Sequence, residues 1–67
     1  MKSTLKISKI NSIDDVNNIR QAVSNNEGVI ACQIIAEKDQ IIVFFDEIFT
    51  TEDKIIESIE DLGYSVN

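Results

Sequence analysis

Polar and apolar residues alternate at the start of the chain, over Thr4–Ile10. This two-residue period is typical of a strand with one buried face. The alternation stops at Asn11, and Ser12 is a residue type that commonly caps a helix N-terminus. Asp14 and Asp15 would then lie in the first turn, and the spacing from Ser12 to Asp15 matches a capping box with a short acid. We therefore expect a strand followed directly by a capped helix.

The first helix is indicated by apolar residues at helical spacing. They form one stripe, which consists of Val16, Ile19, Ala22 and Val23. The stripe is followed by Asn25-Asn26-Glu27-Gly28, where a glycine permits the positive φ that commonly ends a helix. We expect the helix to end there.

Two strongly apolar runs follow, Val29–Ala36 and Ile41–Phe45, and the polar segment Glu37–Gln40 separates them. Both runs are rich in β-branched residues, and the second also contains two phenylalanines. Two such runs joined by a short polar segment predict a β-hairpin.

A second helix is predicted after Thr50-Thr51-Glu52-Asp53, which supplies a threonine cap and acids at the positive helix end. Gly63 would end this helix, and Tyr64–Val66 is long enough for a last edge strand. The stripe expected to be buried consists of Ile55, Ile56, Ile59 and Leu62.

The order of predicted elements is β-α-β-β-α-β. We expect residues 1–67 to form a single α+β domain, a ferredoxin-like sandwich of a four-stranded antiparallel sheet with two helices on one face. A chain of 67 residues with 43% apolar side chains can build one core, and its single cysteine excludes an internal disulfide.

Charge and composition narrow the classes of function. The net charge of −6 opposes binding to nucleic acid, and no apolar run has the length of a membrane span. The start of the chain lacks a signal-peptide pattern, so we expect a cytoplasmic protein that does not insert into a membrane. With no histidine and no suitably spaced carboxylate pair, we do not expect an enzyme or a bound cofactor.

A series of residues resembles a known family from about Thr4 to Val66 without a gap. The series comprises Val16 and Ile19 in the first helix, Gly28-Val29 at strand two, Phe45-Asp46 after strand three, and Ile55, Ile59-Glu60-Asp61 and Gly63-Tyr64 towards the end. Together these positions resemble the heavy-metal-associated family of copper-chaperone-like domains. The resemblance implies the ferredoxin-like fold and a link with metal homeostasis.

The family's metal loop is Met-x-Cys-x-x-Cys, and here it falls on Ile10 to Asp15. Ile10 stands at the methionine position, Ser12 at the first cysteine and Asp15 at the second. The resemblance implies carriage of Cu(I), which prefers thiolates, whereas hydroxyl and carboxylate oxygens are hard donors. We therefore expect no metal to be held by Ser12 and Asp15, which we interpret as helix-capping residues. The resemblance also places Tyr64 beside this loop, where we expect it to pack over the Ser12 turn.

The one cysteine, Cys32, is expected to face the helices as a small buried residue. Strand alternation places Ile34, Ala36, Ile41, Val43 and Phe45 on the same inner face as Cys32. The opposite face then receives Gln33, Ile35, Ile42 and Phe44, with Lys6 from the first strand.

Three large apolar residues on that open face, Ile35, Ile42 and Phe44, would form a patch. We interpret the patch as a candidate interface for a protein partner or a homodimer. Ile48 and Phe49, before the second helix, are a second exposed apolar spot or plug the edge of the core.

The expected function is that of a heavy-metal-associated-type domain without soft-metal binding, acting as a protein-interaction or dimerisation module linked to metal homeostasis. The alternative is a metal-ion carrier with non-standard ligands, either Cys32 or oxygens of the Ser12 loop. The sequence leaves both open.

Overall fold

A computed structural model describes all residues, 1–67, as three strands and two helices. The elements in chain order are β1 (Lys2–Lys6), α1 (Ile13–Ser24), β2 (Val29–Ile35), a 3₁₀ turn (Ala36–Lys38), β3 (Gln40–Phe45) and α2 (Glu52–Glu60). Both predicted helices and the predicted hairpin are present, with ends that differ by a few residues from the sequence patterns.

The strands form one antiparallel sheet in the order β1-β3-β2. The chain is therefore an α+β fold, but the prediction of a four-stranded sheet is wrong. In place of a fourth strand, Val66 forms an isolated antiparallel bridge with Ile7. Two backbone bonds make this bridge: Ser8 N–H donates to Ser65 O at 2.9 Å and Asn67 N–H donates to Lys6 O at 2.9 Å. Two residues before Val66, the Tyr64 hydroxyl donates to Asp15 in the first turn of α1.

Both helices cover the same face of the sheet and share one core with it. The buried apolar residues are Leu5, Ile7, Ile10, Ile19, Val23, Ile41, Val43, Phe45, Ile55 and Ile59. Since α1 and α2 each supply two of these side chains, the predicted two-layer arrangement of helices over a sheet is confirmed.

Some residues expected on the inner side are less buried than predicted. Cys32 is only half-buried because β2 is an edge strand, although it packs against the core. Ala36 is exposed because it belongs to the 3₁₀ turn and not to β2. Leu62 is 46% exposed because α2 ends two residues before it, with Asp61 as the C-cap.

A side-chain contact joins the end of α1 to the middle of α2. The Asn26 amide Nδ2 donates to Ser58 Oγ at 3.0 Å and also to the carbonyl oxygens of Ala22 and Val23. These bonds satisfy carbonyls at the end of α1 that have no partner within the helix. They also hold the two helices together at the end of α1 that lies farther from Ser12.

The connection from α1 to β2 depends on a glycine. Gly28 has φ +97°, and a Cβ placed on it would lie 2.7 Å from the Cβ of Phe49. The backbones are held close here because Asp46 N–H donates to Gly28 O at 2.8 Å. Gly63 has a similar φ of +100° but has open space around it. A substitution at Gly63 would therefore cause backbone strain alone, whereas one at Gly28 would cause backbone strain and steric overlap.

We expect Gly28→Ala to destabilise the fold more than Gly63→Ala. Both substitutions incur the cost of a left-handed backbone, about 1–2 kcal/mol, but only Gly28→Ala adds overlap with Phe49, roughly 1–3 kcal/mol more. Urea unfolding followed by circular dichroism measures both free energies. Equal losses would show that the loop around Phe49 moves aside freely.

Candidate functional site

The junction between β1 and α1 is where the family resemblance places the metal loop. Lys9 has a left-handed φ of +68°, which turns the chain sharply after Ile7. Ile10 is 8% exposed and belongs to the core, whereas Ile13 at the start of α1 is 73% exposed. The residue at the methionine position is therefore a core residue.

Ser12 and Asp15 form the predicted capping box. The Ser12 Oγ accepts a hydrogen bond from Asp15 N–H at 3.2 Å. In return, Asp15 Oδ2 accepts from Ser12 N–H at 3.2 Å and from Asn11 N–H at 2.9 Å. The carboxylate also lies at the positive end of the α1 dipole, which stabilises its charge. The two residues at the cysteine positions thus satisfy the backbone at the start of α1.

The second oxygen of the Asp15 carboxylate is also engaged. The Tyr64 hydroxyl donates to Asp15 Oδ1, and this bond links the segment after α2 to the first turn of α1. The hydrogen bonds from Tyr64 and from the Asn11 backbone hold the pKa of Asp15 below its ordinary value. The same bond to Asp15 raises the pKa of the Tyr64 hydroxyl. Tyr64 therefore lies against the Ser12 turn, as the family resemblance implied.

The structure keeps the two candidate ligand types apart. Cys32 Sγ lies 3.9 Å from Ser24 Oγ, at the C-terminal end of α1. Ser12 caps the opposite end of this 12-residue helix, roughly 18 Å away at about 1.5 Å per residue. The thiol and the loop oxygens consequently cannot coordinate one ion. Nowhere in the chain do three or more histidine, cysteine, aspartate or glutamate side chains converge into a group able to hold a metal.

Two surface depressions lie elsewhere, along the helices. One is lined by Asn26, Lys54, Glu57, Ser58 and Asp61, and the other by Asn18, Gln21, Ala22, Asn25 and Leu62. Neither contains a residue from the Asn11–Asp15 junction. Neither helix of the chain has the length and apolar character needed to cross a membrane.

The outer face of the sheet contains the three predicted interface residues. The strand register places Phe44 between Lys2 and Ala31, and Ile42 between Thr4 and Gln33. Ile35 lies opposite Gln40 in the next row, which also contains Lys6. Phe44 is 42% exposed, while Ile35 and Ile42 are half-buried. The patch exists, and Phe44 is its most accessible member.

The sequence patterns did not identify Ile30 as a surface residue. It is 74% exposed because Val29 pairs with Phe45 while Ala31 pairs with Phe44, which leaves Ile30 as the extra residue of a β-bulge. Within a strongly apolar run such as Val29–Ala36, no local signal marks the position of a bulge. Ile48 and Phe49 are both exposed, which agrees with the alternative that they form a second exposed apolar spot.

Solved structures similar to this chain are copper chaperones and related metal-binding domains. Apo-CopP from Helicobacter pylori is 33% identical over 100% of both chains, with a TM-score of 0.89. A putative copper-ion-binding protein from Bacillus anthracis str. Ames is 27% identical over 100% of this chain and 94% of that chain, with a TM-score of 0.95. The CopZ metallochaperone has a TM-score of 0.97 over 100% of both chains at 22% identity, which shows the shared fold.

No protein-family model matches the chain, and no curated protein matches it either. The assignment therefore depends on the solved structures, and the relative at 33% identity covers the full length of both chains. This chain belongs to the heavy-metal-associated family of copper-chaperone-like domains, and its single cysteine, Cys32, lies outside the loop that the resemblance aligns with the family's metal loop.

Proposed function

We propose that this chain is a heavy-metal-associated domain that has lost soft-metal binding and acts in the cytoplasm as a protein-interaction module of metal homeostasis. The proposal rests on the hydrogen bonds of the Asp15 carboxylate, which stands at the second cysteine position of the motif. Both of its oxygens accept hydrogen bonds, from Asn11 and Ser12 on one side and from Tyr64 on the other.

A metal ion at this junction would compete with those bonds. Three hydrogen bonds already use lone pairs of the Asp15 carboxylate, which leaves Oδ1 at most one further position beside the Tyr64 hydroxyl. A soft cation gains little from oxygen ligands in exchange, because it prefers sulfur. In this proposal, hydrogen bonds to Asp15 hold the loop that two thiolates would hold around an ion.

The alternative function is a metal carrier that uses non-standard ligands. The separation of Cys32 from the loop means that such sites would be independent of each other. A site at Cys32 would contain one thiolate per chain, so a second copy would have to supply another. A titration with Cu(I), Zn(II) and Cd(II) distinguishes this alternative from the loss of metal binding.

The outer sheet face supports the interaction role. None of the nine positions that the register places there is acidic, although the chain has twice as many acids as bases. Phe44 provides accessible apolar area, and Lys2 and Lys6 are exposed at the β1 side of the face. A second copy of the chain is the simplest occupant, through Ile35, Ile42 and Phe44.

A titration with Cu(I), Zn(II) and Cd(II) tests the loss of metal binding. In competition with a chelator that becomes coloured when it binds Cu(I), the wild-type chain should leave the ion on the chelator. Its amide NMR signals from Asn11 to Val16 should not shift. The Ser12→Cys/Asp15→Cys variant should remove Cu(I) from the chelator, because it restores two thiolates to the loop.

Ser12→Cys alone is the matched control, since it adds one thiolate and should compete poorly. Specific, saturable shifts around Asn11–Val16 in the wild-type chain would contradict the proposal. Shifts confined to Ser24 and Cys32 would instead support the alternative carrier.

The closure of the loop can be measured through Tyr64, the only tyrosine in a chain without tryptophan. The near-ultraviolet absorbance of phenolate then reports Tyr64 alone, with a pKa above the ordinary value of about 10. Asp15→Asn should lower that pKa towards about 10, because it removes the negative acceptor. Asp14→Asn, at the exposed neighbour, should leave it unchanged. Equal pKa values for Tyr64 in all three proteins would show that the bond is absent in solution.

The same pair predicts how stability depends on pH. Because the pKa of Asp15 is lowered on folding, its contribution is present above about pH 3.9 and is lost as the pH falls through the folded pKa. Because the pKa of Tyr64 is raised, its contribution is present below about pH 10 and is lost as the pH rises through the folded pKa. The stability difference between wild type and Tyr64→Phe should therefore be largest between these limits and shrink outside them.

Analytical ultracentrifugation tests the sheet-face dimer. We expect concentration-dependent association of the wild-type chain and a monomeric Phe44→Asp variant, because a buried carboxylate would be placed against apolar side chains. Salt should strengthen the dimer, because the charged residues of the outer face, Lys2 and Lys6, are all basic and two such faces repel each other. Leu62→Asp is the matched control on the helical side. A wild-type chain that stays monomeric at high concentration would eliminate the homodimer.

A further inference from the structure

Exposed apolar side chains are concentrated at the end of the sheet farthest from Ser12. Ile30, Ile48 and Phe49 are 74%, 82% and 55% exposed, and we call these three residues the distal patch. They lie where β2 begins and just after β3 ends. β1 leads towards the Ser12 junction and β3 is antiparallel to β1, so the end of β3 is at the opposite end of the sheet. Phe44, on the outer face, is close by in the register through Ala31.

The backbone holds Ile30 in its exposed position. As the extra residue of the bulge between Val29 and Ala31, it has no partner on β3. Bulges commonly redirect one side chain out of the regular alternation of a strand. Ile30 does not belong to the core, so packing does not explain why this position holds a large apolar residue.

Ile48 and Phe49 are held by an ordered turn. Asp46 Oδ1 accepts from Ile48 N–H at 2.9 Å, and Asp46 O accepts from Phe49 N–H at 3.0 Å and from Thr50 N–H at 3.2 Å. The turn is also fixed to the start of β2 through the bond from Asp46 N–H to Gly28 O. Since the turn is already ordered, little conformational entropy remains to be lost when a partner binds.

The surroundings of the distal patch are acidic. Residues 1–3, 27–30 and 44–53 make up this end of the molecule, and Lys2 is their only lysine or arginine. Their acids are Glu27, Asp46, Glu47, Glu52 and Asp53. An apolar centre whose surroundings are mainly acidic complements a partner with apolar anchors and basic side chains at its rim.

We propose that the distal patch is a docking site for a segment of another protein that presents apolar side chains flanked by lysine or arginine. A second copy of the chain fits less well, because it would bring two sets of the same acids together. A membrane surface fits less well too, since anionic lipids attract basic and not acidic rims. The site differs from the outer sheet face in position and in the charge that surrounds it.

Selection of displayed random peptides against the full chain tests this proposal. Enriched peptides should combine leucine, isoleucine or aromatic residues with flanking lysine or arginine. A synthetic copy of the best peptide, followed by fluorescence anisotropy, should bind Ile48→Ser/Phe49→Ser at least about tenfold more weakly than wild type, because two apolar anchors are lost. Its affinity should also fall as salt rises from about 50 mM to about 500 mM.

Ile13→Ser is the matched control, because Ile13 is 73% exposed but lies at the opposite end of the sheet. It should bind the peptide within about twofold of wild type, since surface changes away from an interface have small effects. Amide NMR spectra of all variants confirm that each is folded. Peptide-induced shifts in the wild-type chain should centre on residues 28–30 and 46–50.

Several outcomes would overturn the distal site while leaving the proposed interaction module intact. They are enrichment of acidic peptides, equal peptide binding by wild type and Ile48→Ser/Phe49→Ser, or shifts centred on Ile35 and Ile42. Self-association that only Ile48→Ser/Phe49→Ser abolishes would assign the patch to a second copy. Sedimentation with mixed phosphatidylcholine and phosphatidylglycerol vesicles would assign it to lipid. Either result would also reject the proposed occupant.

Discussion

The Asp15 carboxylate links the start of α1 to the segment that follows α2. It caps α1 through the Asn11 and Ser12 amides and receives the Tyr64 hydroxyl from the segment after α2. The single cysteine excludes an internal disulfide, and the contact of Asp15 with Tyr64 joins the β1–α1 junction to the segment after α2. The helix dipole favours the negative charge at that place, so the capping role and the closing role reinforce each other.

The same arrangement explains how a heavy-metal-associated fold persists without the cysteine pair. Most of the fold depends on the inner face of the sheet and the two helices, whose core includes Ile10 from the loop itself. The loop therefore remains anchored by apolar burial on one side and by oxygen acceptors on the other. Sulfur is needed for the ion and not for the backbone of the loop.

Charge is distributed unevenly over the surface, and this distribution distinguishes the two candidate interfaces. The outer sheet face has Lys2 and Lys6 and no acid, whereas the turns around the distal patch are acidic. Salt screens the repulsion between two basic outer faces and so favours their association. It also screens the attraction between the acidic turns of the distal patch and a basic partner, and so weakens that contact.

The sequence by itself determined both helices, the hairpin and the capping box, because these features depend on local periodicity and on the Ser12–Asp15 spacing. It also determined that one cysteine cannot form a thiolate pair. Only the tertiary structure decided that Val66 forms a single bridge, that Ile30 lies in a bulge, and that Asp15 accepts a hydrogen bond from Tyr64. Pairing register and contacts between distant segments such as Asp15 and Tyr64 depend on how the elements pack. That packing leaves no signature in the spacing of neighbouring residues.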